Sequence, residues 1–299
     1  MLLTVSRHTC AMGETAPTIR RRWLGRALKE LRLAAKKTRD QAAGVLDCDV
    51  SKISRIESGH RGIKTAELRA LLDFYGLTDA AKRDRLVTLA RKARTRDWWD
   101  IEYGNVLSAG DYRDYLSLES DAAWLRMYES RVVPGLLQTQ DYARAIIRAG
   151  KVEATEEQID TLVEVRMSRQ SLLQRQPDPL RVWAVLDEAV LRRKIGGREV
   201  QREQLLHLVE TVRSLPTVTV QVLPFDVGAH AGINGHFMLI GFPEEYAPDV
   251  VWLESLDSSL YLENQGSVER YSLVFDHLKA RALDPDESLD MISQVAKEL

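Results

Sequence analysis

A short segment near the start of the chain combines apolar residues at helical spacing with side chains that donate and accept hydrogen bonds. If Val50 to Ser58 forms a helix, Ile53 and Ile56 face inward. The opposite side then presents hydroxyl, amine and guanidinium groups, on Ser51, Lys52, Ser54 and Arg55. B-DNA's major groove accepts a helix of this kind, and its base edges bond to such groups. The pattern therefore predicts a DNA-contacting helix.

The residues just before this segment predict a second short helix and a tight turn. Ala42, Val45 and Leu46 give the first helix an apolar face. Asp47-Cys48-Asp49 forms the turn, and Asp49 is placed to cap the second helix by accepting a backbone N–H. We therefore expect a helix, a turn and a helix between Thr38 and Gly59.

The run S-x-I-S-R-I-E-x-G resembles the helix-turn-helix of phage-repressor-like regulators, the xenobiotic-response-element family. Arg39 stands where the family usually has Gln, and Asp47 where it usually has Gly. Asp tolerates the left-handed conformation better than most residues, so the turn can persist. The matching residues are Ala43, Leu46, Ser51, Ile53, Ser54, Arg55, Ile56, Glu57 and Gly59.

The resemblance implies separate roles for reading bases and for holding phosphates. Val50, Ser51 and Arg55 align with base readers, and Arg55 could bond guanine O6 and N7 as a fork. The alternative for Arg55 is a phosphate contact or an ion pair near Glu57. The full set of expected DNA contacts is Arg39, Val50, Ser51, Lys52, Ser54, Arg55, His60, Arg61 and Lys64.

Charge is distributed unevenly along the 299 residues. The first 97 residues carry 22 Lys and Arg against 11 Asp and Glu, and the remainder carries 20 against 33. This asymmetry favours a basic nucleic-acid module joined to an acidic one. No apolar run approaches a membrane span, and two cysteines form no metal or disulfide framework. We expect a cytoplasmic, nucleoid-associated protein.

Periodicity predicts a five-helix, repressor-like domain at residues 20–97, and a disordered tail at 1–19 whose true start is Met1 or Met12. A linker follows at 98–110. Its Trp98-Trp99 pair favours a seal at an interdomain joint over stacking on bases.

Residues 111–299 are predicted to form an α+β domain with a small, mostly antiparallel sheet. We expect helix over most of 111–128 and over 156–175, 198–215, 265–282 and 287–299. Short strands are expected at 182–186, 218–223, 237–242, 250–254 and 259–263.

This half also resembles a domain of uncharacterised role found behind repressor-like helix-turn-helix motifs in actinobacterial regulators. The resemblance implies a transcription regulator of development or secondary metabolism, often encoded beside a small partner protein. The segments that carry it are VPGLLQT-x-DYA from Val133, R-x-x-RQ-x-LL from Arg166, LDE-x-x-L from Leu186, VQVLPF-x-x-G-x-H from Val220 and G-x-F from Gly235.

The sequence indicates no catalytic centre, metal site or cofactor. The glycine-rich loop from Gly228 to His236 lacks the Gly-Lys-Ser/Thr ending of a phosphate-binding loop and favours a hairpin. Asp187 and Glu188 could be an acid pair but more often cap a helix. The candidates for a ligand-binding or partner-binding cleft are Pro134, Gln138, Arg166, Gln170 and His230. The equally favoured alternative is a structural role, in which these residues form turns or hold helices against the sheet.

The sequence as a whole predicts a homodimeric, sequence-specific transcription regulator that binds double-stranded DNA and is not an enzyme. Its second domain would sense an unidentified small-molecule effector or a small protein encoded nearby. The first alternative is an antitoxin-like or scaffold protein that binds a partner protein and uses DNA binding to regulate its own expression. The second rival is an enzyme tethered to DNA.

Overall fold

The structure, a computed structural model, describes residues 18–94, 111–243, 248–256 and 258–299. The chain divides into two compact units, Met1–Thr95 and Arg96–Leu299. The expected linker with its Trp98-Trp99 pair lies outside the described residues, as does the expected tail up to residue 17.

The five helices predicted for the first unit are confirmed. The first helix begins at Ile19, within the tail expected at 1–19, because Ile19 is itself a core residue with no exposed surface. Leu28, Leu68 and Leu72 are also buried in this unit. The helices are α1 (Ile19–Ala34), α2 (Arg39–Val45), α3 (Val50–Glu57), α4 (Thr65–Phe74) and α5 (Ala80–Lys92).

The second unit alternates helices and strands before a run of strands and two closing helices. Its helices are α6 (Asp111–Asp121), α7 (Gln140–Gly150), α8 (Glu156–Ser168), α9 (Glu188–Arg192), α10 (Arg198–Ser214), α11 (Gln265–Arg281) and α12 (Pro285–Glu298). Its strands are β1 (Trp124–Glu129), β2 (Arg181–Asp187), β3 (Val218–Leu223), β4 (Phe237–Gly241), β5 (Val250–Glu254) and β6 (Ser259–Leu262). Short 3-10 turns span Gly135–Leu137, Arg169–Gln174 and Phe225–Val227.

The expectation of a small, mostly antiparallel sheet is wrong. Six strands form one mixed sheet in the order β3-β2-β1-β4-β5-β6. The pairs β1–β2 and β2–β3 are parallel, and β1–β4, β4–β5 and β5–β6 are antiparallel. Parallel neighbours need crossover connections, which α7 and α8 provide between β1 and β2, and α10 between β2 and β3.

The error traces to β1, which was assigned to a helix extending through Tyr128. The helix ends at Asp121, and Trp124–Glu129 is a central strand with neighbours on both sides. Its aromatic and unbranched apolar residues suit either structure, so pairing with β2 and β4 decides the outcome. With β1 in place, the segment between β1 and β2 becomes a crossover between parallel strands.

The hydrophobic core of the second unit lies between the sheet and the helices that pack against it. On one face Tyr128, Phe237 and Val251 pack with Phe275 and Leu278 of α11. Elsewhere Tyr115 of α6 stacks on Trp252 of β5, with ring centroids 4.3 Å apart. Among the helices of the described ranges, none has the length and apolar character that a bilayer crossing requires.

Candidate nucleic-acid interface

The turn between α2 and α3 is held by local hydrogen bonds and one unusual backbone conformation. Asp49 precedes α3, and its carboxylate accepts a hydrogen bond from the Ser51 backbone N–H at 2.7 Å. Hydrogen bonds from Ser51 hold the pKa of the Asp49 carboxyl below its usual range. Asp47 has φ +45°, so it adopts the left-handed conformation expected for it. Both predictions for the turn are confirmed.

The inner face of α3 rests directly on α1. Ile53 and Ile56 are 1% and 2% exposed. A Cβ atom at Gly25 of α1 would lie 2.5 Å from the Ile56 carbonyl oxygen and 2.6 Å from that of Glu57. Only a residue without a side chain allows this approach. The backbone at the C-terminal end of α3 therefore lies directly against α1 at Gly25.

A buried ion cluster ties α3 to α1 and α2. Glu57, the last residue of α3, accepts hydrogen bonds from Arg32 Nε at 2.5 Å and from Arg39 Nε at 2.8 Å. Burial disfavours the charged carboxylate, but the two arginines outweigh it and keep the pKa of Glu57 below its usual range. Because both partners lie outside α3, the cluster fixes the helix orientation as well as its position.

The outer face of α3 presents its polar side chains to solvent. Ser51 and Arg55 are exposed, and Val50 and Ser54 are half-buried. Among the described residues, the Arg55 guanidinium makes no hydrogen bond or ion pair. The alternative of an intramolecular ion pair for Arg55 therefore finds no support here. The guanidinium keeps all its donors for an external partner.

Two of the expected contact residues are instead engaged within the fold. Lys52 Nζ lies 2.7 Å from Glu67 Oε1, and Arg39 pairs with Glu57. The Arg39 side chain remains 41% exposed, whereas that of Lys52 is only 16% exposed. Both pairs support α3, and of the two cations only Arg39 keeps substantial exposure to solvent.

The loop after α3 carries three exposed basic or titratable residues. His60 Nδ1 lies 3.0 Å from the Ser58 hydroxyl, and the Arg61 backbone N–H donates to the Arg55 carbonyl. Arg61 and Lys64 are exposed. A backbone hydrogen bond therefore anchors the loop to the end of α3, and the side chains of Arg61 and Lys64 remain at the surface.

In the second unit, three of the five expected cleft residues come together. The buried Gln138 accepts from Arg166 Nη1 at 2.9 Å through its side chain and from Gln170 Nε2 at 2.6 Å through its carbonyl. Pro134 precedes the 3-10 turn that leads to Gln138. His230 lies elsewhere, with Nε2 4.0 Å from Asp187 Oδ2.

Asp187 and Glu188 serve the structure around α9. Asp187 accepts from the Ala189 backbone N–H at 2.9 Å, which confirms the helix-cap interpretation. Tyr128 also donates to Asp187, at 3.2 Å, and Glu188 accepts from the Phe225 N–H and from Arg192.

Each of the two units contains a segment that matches a known family model. Residues 112–294 match the family model described as a domain of unknown function, DUF5753. The chain belongs to the DUF5753 family. Residues 23–86 match a helix-turn-helix domain, which confirms that element and supports a DNA-binding regulator. No curated protein and no solved structure matches the chain.

The carboxylates that support α3 in this DUF5753 protein were missed as functional residues. The sequence identifies Glu57 as a motif residue but indicates no structural partner for it, and it indicates no role for Glu67. One signal was present for Glu57: it follows Ile56 on the inward side of α3, where a charged residue requires a buried partner. No local signal identifies Arg32 as that partner, since it lies 25 residues away.

Proposed function

We propose that this chain is a sequence-specific DNA-binding transcription regulator of the xenobiotic-response-element type, acting as a homodimer on the nucleoid of an actinobacterium. Its role is regulation rather than catalysis. The observation that carries the proposal is the exposed Arg55 guanidinium, which makes no hydrogen bond or ion pair among the described residues, on a helix whose back is fixed by Gly25 and Glu57.

The chemistry of the outer face suits direct reading of bases. Arg55 can donate two parallel hydrogen bonds to O6 and N7 of a guanine. Ser51 and Ser54 can donate to or accept from a neighbouring base, and Val50 can contact a thymine methyl group. Because α3 is held on two sides, these groups reach the groove with little loss of conformational freedom.

The surrounding cations suit phosphate contacts. His60, Arg61 and Lys64 follow α3, and Arg39 lies at the start of α2 with part of its side chain exposed. Such contacts fix the position of the protein on DNA without conveying sequence. The excess of Lys and Arg in the first 97 residues adds a salt-dependent attraction to any duplex.

A dimer accounts for specificity better than a single module. One repressor-like unit reads few base pairs, whereas two related by a two-fold axis read half-sites about 10–10.5 base pairs apart. The DUF5753 unit would supply the dimer contact and sense a small effector or a small partner protein. Binding there changes DNA affinity only if it favours one arrangement of the two DNA-binding heads.

A footprint on genomic DNA fragments tests the proposal. Fragments retained by the full chain would be sequenced and then probed for protection from cleavage. We expect a recurring, palindromic protected site with half-sites about one helical turn apart. Protection without a recurring sequence would contradict the proposal. A footprint that forms only with the product of a neighbouring gene would favour the partner-binding rival.

A further inference from the structure

Helix α4 supplies an acidic side chain to a lysine of α3. Glu67 is the third residue of α4, and its Oε1 atom lies 2.7 Å from Nζ of Lys52, the third residue of α3. The other carboxylate oxygen, Oε2, accepts the Lys64 backbone N–H at 3.1 Å. Because each oxygen has its own donor, the carboxylate cannot turn away from Lys52 without losing a hydrogen bond.

The Lys52–Glu67 pair is largely shielded from water. The Lys52 side chain is 16% exposed and that of Glu67 is 25% exposed. Shielding strengthens the attraction between opposite charges, and salt weakens it less than at an open surface. Burial disfavours the charged carboxylate, but the hydrogen bonds from Lys52 and Lys64 outweigh it and keep the pKa of Glu67 below its usual range. Glu67 is therefore ionised at neutral pH.

Lys52 lies beside the residue that the proposed function assigns to base reading. It precedes Arg55 by three positions on α3, so the two side chains are neighbours on the helix surface. The Arg55 guanidinium is exposed and makes no hydrogen bond or ion pair among the described residues, whereas Lys52 is paired. Two neighbouring cations thus differ in whether the fold already uses their charge.

An unpaired lysine at this position of α3 would attract any duplex. Phosphates carry no sequence, so an ammonium group that contacts them raises the affinity for all duplexes alike. Each phosphate contact also steepens the fall of affinity with salt, by about 0.9 in the slope of log K against log salt concentration. A carboxylate that already neutralises the ammonium group removes both effects.

We propose that Glu67 is a positioning residue that withholds Lys52 from the DNA backbone by acting as its internal counter-ion. The pair lowers the general affinity of α3 for DNA and leaves contact with the duplex to Arg55 and the serines of the outer face. Lys52, expected from the sequence as a DNA contact, instead holds α3 against α4. This inference rests on the proposed function, because it concerns how the same helix meets DNA.

Glu67→Gln tests the inference, with Glu30→Gln as the matched control. Glutamine keeps an oxygen for the Lys64 N–H but has no charge to hold Lys52. Affinity of the full chain for a duplex of random sequence would be measured between about 0.05 and 0.2 M salt. We expect the loss of affinity across this range to be about three- to fourfold greater in Glu67→Gln than in the unaltered chain, as one additional phosphate contact requires. Glu30 is exposed on the same unit, so its variant measures the effect of removing any acid.

The double variant Lys52→Gln/Glu67→Gln separates release of Lys52 from a general change in the electrostatic field. If Glu67 acts through Lys52, the added salt dependence should vanish when Lys52 is also replaced. Salt dependence that is equally steep in the double variant, or no steeper in Glu67→Gln than in Glu30→Gln, would overturn the inference and leave the proposed regulator standing. An unaltered chain that binds no duplex even at low salt would instead refute the regulator.

Amine labelling of the unaltered full chain provides a test that needs neither a variant nor DNA, in case Glu67→Gln does not fold. An amine-reactive ester would be applied to the folded and to the denatured chain, and the modified lysines would be identified by mass spectrometry. Lys64 is exposed and should be labelled in the folded chain. Lys52 should be labelled only after denaturation, because Glu67 and the surrounding fold hold its ammonium group. Equal labelling of the two lysines in the folded chain would overturn the inference.

Discussion

At the scale of single residues, Arg55 is the residue whose substitution tests sequence reading separately from general attraction to DNA. Its exposed guanidinium makes no hydrogen bond or ion pair among the described residues, so its hydrogen-bonding capacity is not shared with the fold. Lys52 is in the opposite position, held by Glu67 at 2.7 Å. Two basic residues three positions apart on one helix are therefore engaged differently by the fold.

Arg55→Ala should cost about 1–3 kcal/mol of binding free energy at the preferred site and relax the preference at one base pair. Affinity for random duplex should change little. Arg61→Ala is the matched control and should weaken binding to all sequences alike. Competition titrations with substituted duplexes measure both. Equal losses for Arg55→Ala on preferred and random DNA would refute its role in base reading.

Glu57 should matter for stability, in a pH-dependent way. Removing its charge leaves Arg32 buried without a counter-ion, which costs about 3–5 kcal/mol. Since the folded pKa is depressed, the stabilisation is complete above the unfolded value of about 4.3 and is lost as the pH falls through the folded value. Hydrogen exchange in residues 18–94 should therefore accelerate in Glu57→Gln at pH 7, and the difference from the unaltered chain should shrink in acid.

The exposed Glu30 on the same unit provides the control for Glu57. Glu30→Gln should leave exchange unchanged at both pH values, because a solvated carboxylate contributes little. If Glu57→Gln exchanged no faster than Glu30→Gln at pH 7, the buried ion cluster would not be what holds α3.

At the scale of elements, the contact between α1 and α3 determines how the recognition surface is presented. Gly25→Ala would place a methyl group 2.5 Å from a backbone oxygen of α3, so one helix must move. We expect loss of stability and weaker binding to preferred and random duplexes together. Thermal unfolding and DNA titration of the full chain measure the two effects.

Gly44→Ala is the matched control for Gly25→Ala. Gly44 also lies in a helix, but a Cβ atom there would meet nothing within 4 Å. Because alanine favours helix over glycine by about 0.5–1 kcal/mol, this variant should be as stable or more stable, with DNA binding retained. A Gly25→Ala chain that behaved like Gly44→Ala would show that the close approach is not required.

The sequence allowed the helix-turn-helix and the positions of β2 to β6 to be predicted, but not β1 or the parallel pairing of the sheet. The reason is the range of the interactions. The cap at Asp49 and the left-handed Asp47 depend on neighbours within a few residues. Strand β1 depends on pairing with β2 and β4, which are far away along the chain. Gln138, Arg166 and Gln170 were candidates because they belong to recognisable motifs, and the structure brings them together. No motif indicated that Gly25 of α1 would contact α3.

At the scale of the whole molecule, the proposed dimer predicts a fixed stoichiometry on DNA. Light scattering of the full chain with a complete palindromic duplex should give two chains per duplex, and a half-site duplex should bind one chain far more weakly. The reason is that the second half-site adds a second set of contacts at high effective concentration. One chain per complete site, with undiminished affinity for a half-site, would contradict the dimer.

Charge asymmetry adds a separate effect at this scale. On the proposed function, the basic first unit should attract any duplex, and this attraction should fall steeply with salt because counterions are released on binding. Base contacts depend on salt far less. Specific recognition should therefore be most distinct near physiological ionic strength, where general attraction is weak.

The most direct measurement is the affinity of the full chain for its selected duplex and for a scrambled duplex of equal length and composition, near 0.15 M salt. With α3 reading bases, the selected duplex should bind at least about 10³-fold more tightly. Equal affinities at that salt concentration would contradict the central claim that α3 recognises sequence.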